Sequence, residues 1–145
     1  MSVKVMIVDN THSRRQQVEN AFRTAGFEVC SASDSLGCSL KLRSERPDLV
    51  VLEAKLPVVS GPQILQSLRK SQQARAFSVI VLADESELES LCDTGSDARD
   101  LYLARPATPA ALVAVATQLL ADSEWRPAGA KDSPPQPTGT GWRLR

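Results

Sequence analysis

The residues of this chain that could do chemistry stand where short apolar runs stop. Val3 to Val8 (VKVMIV) ends at Asp9-Asn10, Leu49 to Leu52 at Glu53, Val79 to Leu82 at Ala83-Asp84, and Leu101 to Ala104 at Arg105-Pro106. A carboxylate so placed can serve as base, acid or acceptor of a group, or it can simply hold a shape. Acids are common at strand ends because that edge of an α/β sheet is polar, so Asp9 or Glu53 taken singly reads as structural. Other chemistry has little support. The only histidine, His12, reads as a surface residue of the first loop, with no serine or cysteine nucleophile to pair with it. Cys30, Cys38 and Cys92 show no CxxC spacing and read as buried or half-buried thiols rather than metal or redox groups. No glycine-rich phosphate loop follows the first run, which disfavours a dinucleotide or P-loop fold.

The elements that must position these residues alternate. The β-branched run Val3 to Val8 is a strand. From Arg14 the period turns helical, with Val18, Ala21, Phe22 and Ala25 on one face, arginines and glutamines on the other, and Gly26 as the stop. Phe27 to Ser31 is expected as a strand and Ser35 to Glu45 as a helix with Leu36, Leu40 and Leu42 partly inward, ended by Pro47. Leu49 to Leu52 is wholly apolar and fits a central strand covered on both faces. A helix over Gly61 to Ser71, with Ile64, Leu65 and Leu68 inward, precedes the strand Val79 to Leu82. A short helix follows over Ser86 to Cys92, with Leu88 and Leu91 at helical spacing until Gly95. After the strand Leu101 to Ala104, Thr108-Pro109 supplies a cap and a first-turn proline for a helix to Ala121. Five strands and five helices with short connections predict an α/β fold, a doubly wound five-stranded parallel sheet, whose ligand site lies beyond the carboxyl ends of the strands.

Composition limits the partners. Lys plus Arg equals Asp plus Glu, 17 against 17 among 145 residues, so the chain offers no electrostatic footprint for nucleic acid or an anionic membrane. No apolar run reaches the roughly 18 residues of a membrane span, and Met1 to Asn10 does not read as a secretory signal. A cytoplasmic location is expected. Residues 1–122 read as one domain, and residues 123–145, rich in proline and glycine, as a linker or disordered tail.

Four stretches, "VMIVDN…RR", "PDLVVLEAKLPVVSG", "VIVLA" and "LYLARP", together resemble the receiver domain of response regulators over residues 3 to about 121. Pro57 and Gly61, after the acid at 53, belong to the same pattern. The resemblance implies the (βα)5 flavodoxin-like fold. It also implies a pocket in which two adjacent acids and an aspartate hold magnesium, the aspartate accepts a phosphoryl group from a histidine kinase, and a hydroxyl residue and a lysine contact that group. Asp9 matches the first acid. Asn10 stands for the second, Glu53 for the phosphoacceptor, Ala83 for the hydroxyl residue and Arg105 for the lysine. A glutamate displaces its carboxylate by on the order of 1 Å, enough to cost about a hundredfold in an in-line transfer. Asn10 removes an anionic ligand, Ala83 cannot donate a hydrogen bond, and the planar fork of Arg105 suits a standing carboxylate. The expectation is a pseudo-receiver with no cofactor and with magnesium binding weak or absent, its weak candidates being Asp9, Glu53 and Lys55, and with Glu53 and Arg105 as a fixed ion pair. The Lys55 side chain is expected to be solvated. Tyr102 stands where receivers often carry an aromatic that turns inward, and Ala83 leaves space for it; an ordinary half-buried tyrosine is the alternative.

Function is then expected on the surface, as a protein-protein adaptor in bacterial signal transduction rather than as an enzyme. The last helix carries no charge from Pro109 to Ala121. Val113 and Leu120 are candidates for a protein-partner or homodimer contact over the fourth helix, fifth strand and fifth helix, the alternative being an alanine-rich surface. Trp142, Arg143 and Arg145 resemble a docking peptide. Two other readings stay open: a phosphate-accepting receiver using Glu53 or Asp84, and the regulatory domain of a transcription factor whose DNA-binding part is not in these residues.

Overall fold

A computed structural model describes residues 3–56, 59–71, 77–92 and 100–121. The tail from 123, with Trp142, Arg143 and Arg145, Pro57, and Gly95 with its neighbours lie outside the described residues, as do the side chains of Leu68 and Leu91. The strands are β1 (Lys4–Val8), β2 (Glu28–Ala32), β3 (Leu49–Glu53), β4 (Ser78–Ala83) and β5 (Asp100–Ala104). They alternate with the helices α1 (His12–Thr24), α2 (Ser35–Glu45), α3 (Gly61–Ser71), α4 (Glu85–Cys92) and α5 (Pro109–Ala121). All pairings are parallel, in the order β2-β1-β3-β4-β5. This is the expected doubly wound α/β sheet, with element ends moved by a residue or two.

The strand period of two sends alternate residues to two cores. Val5 and Ile7, Leu49 and Val51, Ile80 and Leu82, and Leu101 pack with Val18 and Phe22 of α1 and Leu112 and Ala116 of α5. Met6 and Val8, Val50 and Leu52, Val79, Val81 and Ala83, and Tyr102 pack with Cys38 of α2, Ile64 and Leu65 of α3 and Leu88 of α4. Central strands covered on both faces must be apolar throughout, which is why β3 and β4 read as unbroken runs. Tyr102 is buried in the same core as Ala83.

Caps fix the helix ends. Gly26 takes φ 98°, a left-handed value that ends α1 without Cβ strain. Asp34 accepts the Gly37 N–H at 2.8 Å and starts α2. Thr108 Oγ1 accepts the Ala111 N–H at 3.0 Å and starts α5 one residue before Pro109.

Two faces differ from expectation. Leu36 and Leu40 of α2 are exposed by 67% and 58%, and the inward positions are Cys38, with Leu42 packed against the core. Cys38 and Leu42 are one turn apart, and the phase set by Asp34 turns that stripe to the sheet. On α5, Val113 and Leu120 are half-buried against the core shared with α1. Val113 lines a shallow apolar groove with Asn20, Ala21, Thr24, Ala25 and Ala110. Leu120, two turns on, shares that side. They therefore mark the α1 side of α5 and not its β5 edge, because Leu112 and Ala116 set the inward phase and a residue one position after the inward stripe turns about 100° around the helix.

Candidate functional site

The register places the site. Val8 pairs with Leu52, Glu53 with Leu82, and Ala83 with Ala104, so the residues that follow come together at the carboxyl edge. Backbone bonds extend the ladder there, from Asp9 N to Ala32 O at 3.1 Å, Ala54 N to Leu82 O at 2.9 Å and Arg105 N to Ala83 O at 2.9 Å. Gly61 closes the loop behind Glu53, its N–H donating to Ala54 O at 3.0 Å. A Cβ on Gly61 would collide with the Glu53 carbonyl and lie 2.9 Å from Ala54 Cα. That close approach is the physical reason for glycine at the position the sequence singled out.

Asp9, Glu53, Asp84 and Arg105 converge. The Glu53 side chain is 2% exposed, and Arg105 Nη2 donates to its Oε2. The Lys55 N–H donates to the same oxygen at 3.0 Å. Arg105 also reaches Asp84 Oδ1 at 3.4 Å, and the Arg105–Pro106 peptide that follows is cis. The Lys55 side chain is not merely solvated as expected: Nζ lies 3.0 Å from Asp84 Oδ2. Hydrogen bonding and charge from Lys55 hold the Asp84 carboxyl below its ordinary value, and Asp84 in turn pushes the Lys55 ammonium up. Asn10 is exposed on the turn after β1, and Ala83 is buried without a polar side chain to offer.

Sequence reasoning missed Arg14. It lies in the first turn of α1 on the face read as solvent-facing, yet its guanidinium bends back to the sheet edge. Nε donates to Asp9 Oδ2 at 2.7 Å and Nη2 to Asp9 Oδ1 at 2.9 Å, a bidentate grip. The hydrogen bond to Asp9 pushes the Arg14 guanidinium up from its ordinary value. Nη2 also stands 3.6 Å from Glu53 Oε1, a buried oxygen with no hydrogen bond among the described residues. The available signal was the spacing, an arginine five residues after a strand-end acid, within reach of it from the first helical turn.

The magnesium ion that the resemblance implies does not fit this donor set. A hard divalent ion needs several oxygen ligands in near-octahedral geometry. Here a guanidinium stands between the Asp9 and Glu53 carboxylates, Glu53 Oε2 is taken by Arg105 and Lys55, and Asn10 faces solvent. Among the described residues no three His, Cys, Asp or Glu side chains are grouped to hold a metal ion. No described helix is long and apolar enough to cross a membrane.

The model of the response regulator receiver domain family matches residues 5–117. The chain is 30% identical over 125 residues to the alkaline phosphatase synthesis transcriptional regulatory protein PhoP of Bacillus subtilis, covering 86% of this chain and 51% of that protein. It is 30% identical over 119 residues to the transcriptional regulatory protein PrrA of Mycobacterium tuberculosis, covering 82% and 50%. The chain thus spans about half the length of the curated relatives it matches. Among solved structures, the receiver domain of NtrX from Brucella abortus superposes with a TM-score of 0.69 at 21% identity, covering 81% of this chain and 98% of that one. The chemotaxis response regulator CheY4 of Vibrio cholerae gives 0.66 at 25% identity, covering 82% and 99%.

Proposed function

The chain belongs to the response regulator receiver domain family, and from that premise we propose that it is a pseudo-receiver, a phosphorylation-independent module that acts in signal transduction by binding a protein partner. The observation that carries this reading is Glu53, which stands in the phosphoacceptor's place, is 2% exposed and is held by Arg105 and Lys55 with Arg14 beside it. A nucleophile must reach its phosphorus in line with the leaving group. Glu53 is buried, with a guanidinium group at each of its two carboxylate oxygens. The charge balance points the same way, with the carboxylates of Asp9, Glu53 and Asp84 matched by Arg14, Lys55 and Arg105. Tyr102, buried in the same core as Ala83, supports a surface held in one state. The partner or homodimer surface remains proposed at α4, β5 and α5, without Val113 and Leu120 as its markers.

A second reading is favoured by the relatives. PhoP and PrrA are named as transcriptional regulators and match this chain over about half their length, so the module would regulate an output domain of that kind, still without phosphorylation. Incubation with acetyl phosphate and magnesium, followed by intact-mass measurement, tests the common core of both readings. The mass is expected to stay unchanged. Stoichiometric, hydroxylamine-labile addition of one phosphoryl group, at Glu53 or at the more exposed Asp84, would overturn it.

A further inference from the structure

We propose that Arg14 is the resident cation of this pocket: anchored to Asp9 and facing Glu53, its guanidinium takes the position between the two carboxylates and keeps divalent cations out. Three observations carry this independently of Asn10. The first is the geometry, a bidentate contact to Asp9 at 2.7 and 2.9 Å with the same Nη2 3.6 Å from Glu53 Oε1. One group thus bridges two acids that each follow a residue of the Val8–Leu52 pair at the carboxyl edge of the sheet.

The second is Glu53 Oε1 itself, buried, without a hydrogen bond among the described residues and faced by Arg14. A buried carboxylate oxygen needs a neighbouring positive charge, and the tethered guanidinium provides it without the dehydration a magnesium ion resists. The third is the helix. Arg14 and Arg15 occupy the first turn of α1, which holds no acid. A cation there opposes the helix dipole. Both arginines are held by Asp9, Arg14 by its carboxylate and Arg15 Nη1 by its carbonyl at 2.9 Å, so the unfavourable end of the helix is offset by the pocket.

The consequence is a pocket insensitive to the cation that receivers of this fold use. This deepens the pseudo-receiver reading and is tested without any phosphodonor, so the two fail separately: labelling by acetyl phosphate defeats that reading, cation binding by the wild-type chain defeats this one. Manganese serves as the probe, its free concentration read by electron paramagnetic resonance. The wild-type chain is expected to show no saturable binding in the millimolar range, and Arg14→Met to bind one ion saturably within it, a gain of at least about tenfold, as expected on removing a unit charge at contact distance. Manganese should then raise the melting temperature of Arg14→Met and leave the wild type unmoved. Saturable wild-type binding, or Arg14→Met no tighter than wild type, overturns the proposal. Should Arg14→Met fail to fold, Asn10→Asp keeps the test: it restores the second acid with Arg14 in place, is expected to stay without saturable binding, and overturns the proposal if it binds.

Discussion

Glu53 ends β3 with a side chain 2% exposed, and its Oε2 is held by the Arg105 guanidinium and the Lys55 N–H. Removing one partner of a buried pair costs more than the pair contributes, because the remaining charge is left without compensation. Arg105→Met is therefore expected to lower unfolding free energy by about 3 kcal/mol, at the lower end for a buried pair because Arg14 still faces Oε1. Adding Glu53→Leu should recover part of that loss, since an apolar replacement of both partners leaves nothing unpaired. Urea denaturation of the four members of the cycle measures this, and a double variant no more stable than Arg105→Met would refute it. Asp9, Glu53 and Arg105 were legible in the sequence because each follows a buried run, and parallel strands in register bring such positions together. Arg14 was not. Helical phase places its Cα on the outer face, and only the long, flexible side chain bending towards Asp9 brings the charge home. Lys55 and Asp84 were each legible as residues of the site, but not their contact, which spans two loops.

The elements themselves were legible wherever apolar periodicity was long, and less so where a single cap sets the phase. For α2, the leucines at 36 and 40 suggested an inner face, but Asp34 rotates the helix so that Cys38 is buried and those leucines are exposed. On α5, an uncharged helix gives no polar face from which to read the phase, and Val113, expected near the edge or outside, is half-buried beside α1. Two glycine-related positions test how tightly the elements are joined. Arg46 ends α2 at φ 50°, its N–H donating to Leu42 O at 3.2 Å, and pays the Cβ strain of a left-handed cap before Pro47. Arg46→Gly should raise stability by about 0.5–1 kcal/mol, the relief of strain exceeding the added freedom of the unfolded chain. At Gly61 the opposite holds, because the space for a Cβ is filled by the backbone of Glu53 and Ala54. Gly61→Ala should cost about 2 kcal/mol or more and shift the β3–α3 loop. Melting curves of both variants check the signs, and equal effects at the two positions would show that backbone geometry is not what selects these residues.

At the scale of the whole molecule, one sheet divides two cores, and the core beneath α2, α3 and α4 contains a titratable thiol. Cys38 is fully buried there, and burial pushes its thiol from 9.0 up to about 12. The unfolded chain releases that proton near pH 9 while the folded chain keeps it. Between those values the folded state binds more protons, so stability is fully present below the unfolded value and falls as pH rises towards the folded one. By pH 11 the loss from this group should reach about 2–3 kcal/mol, a substantial fraction of the stability of a domain this size. The comparison that isolates the thiol from every other group is between wild type and Cys38→Ala. The alanine variant starts less stable at pH 8 because it leaves a gap in the core, yet its stability should fall less steeply with pH, so the difference between the two chains narrows as the solution becomes alkaline. Urea midpoints measured under reducing conditions at several pH values read this directly. Parallel slopes for the two chains would mean that the thiol ionises as readily in the folded core as in the unfolded chain.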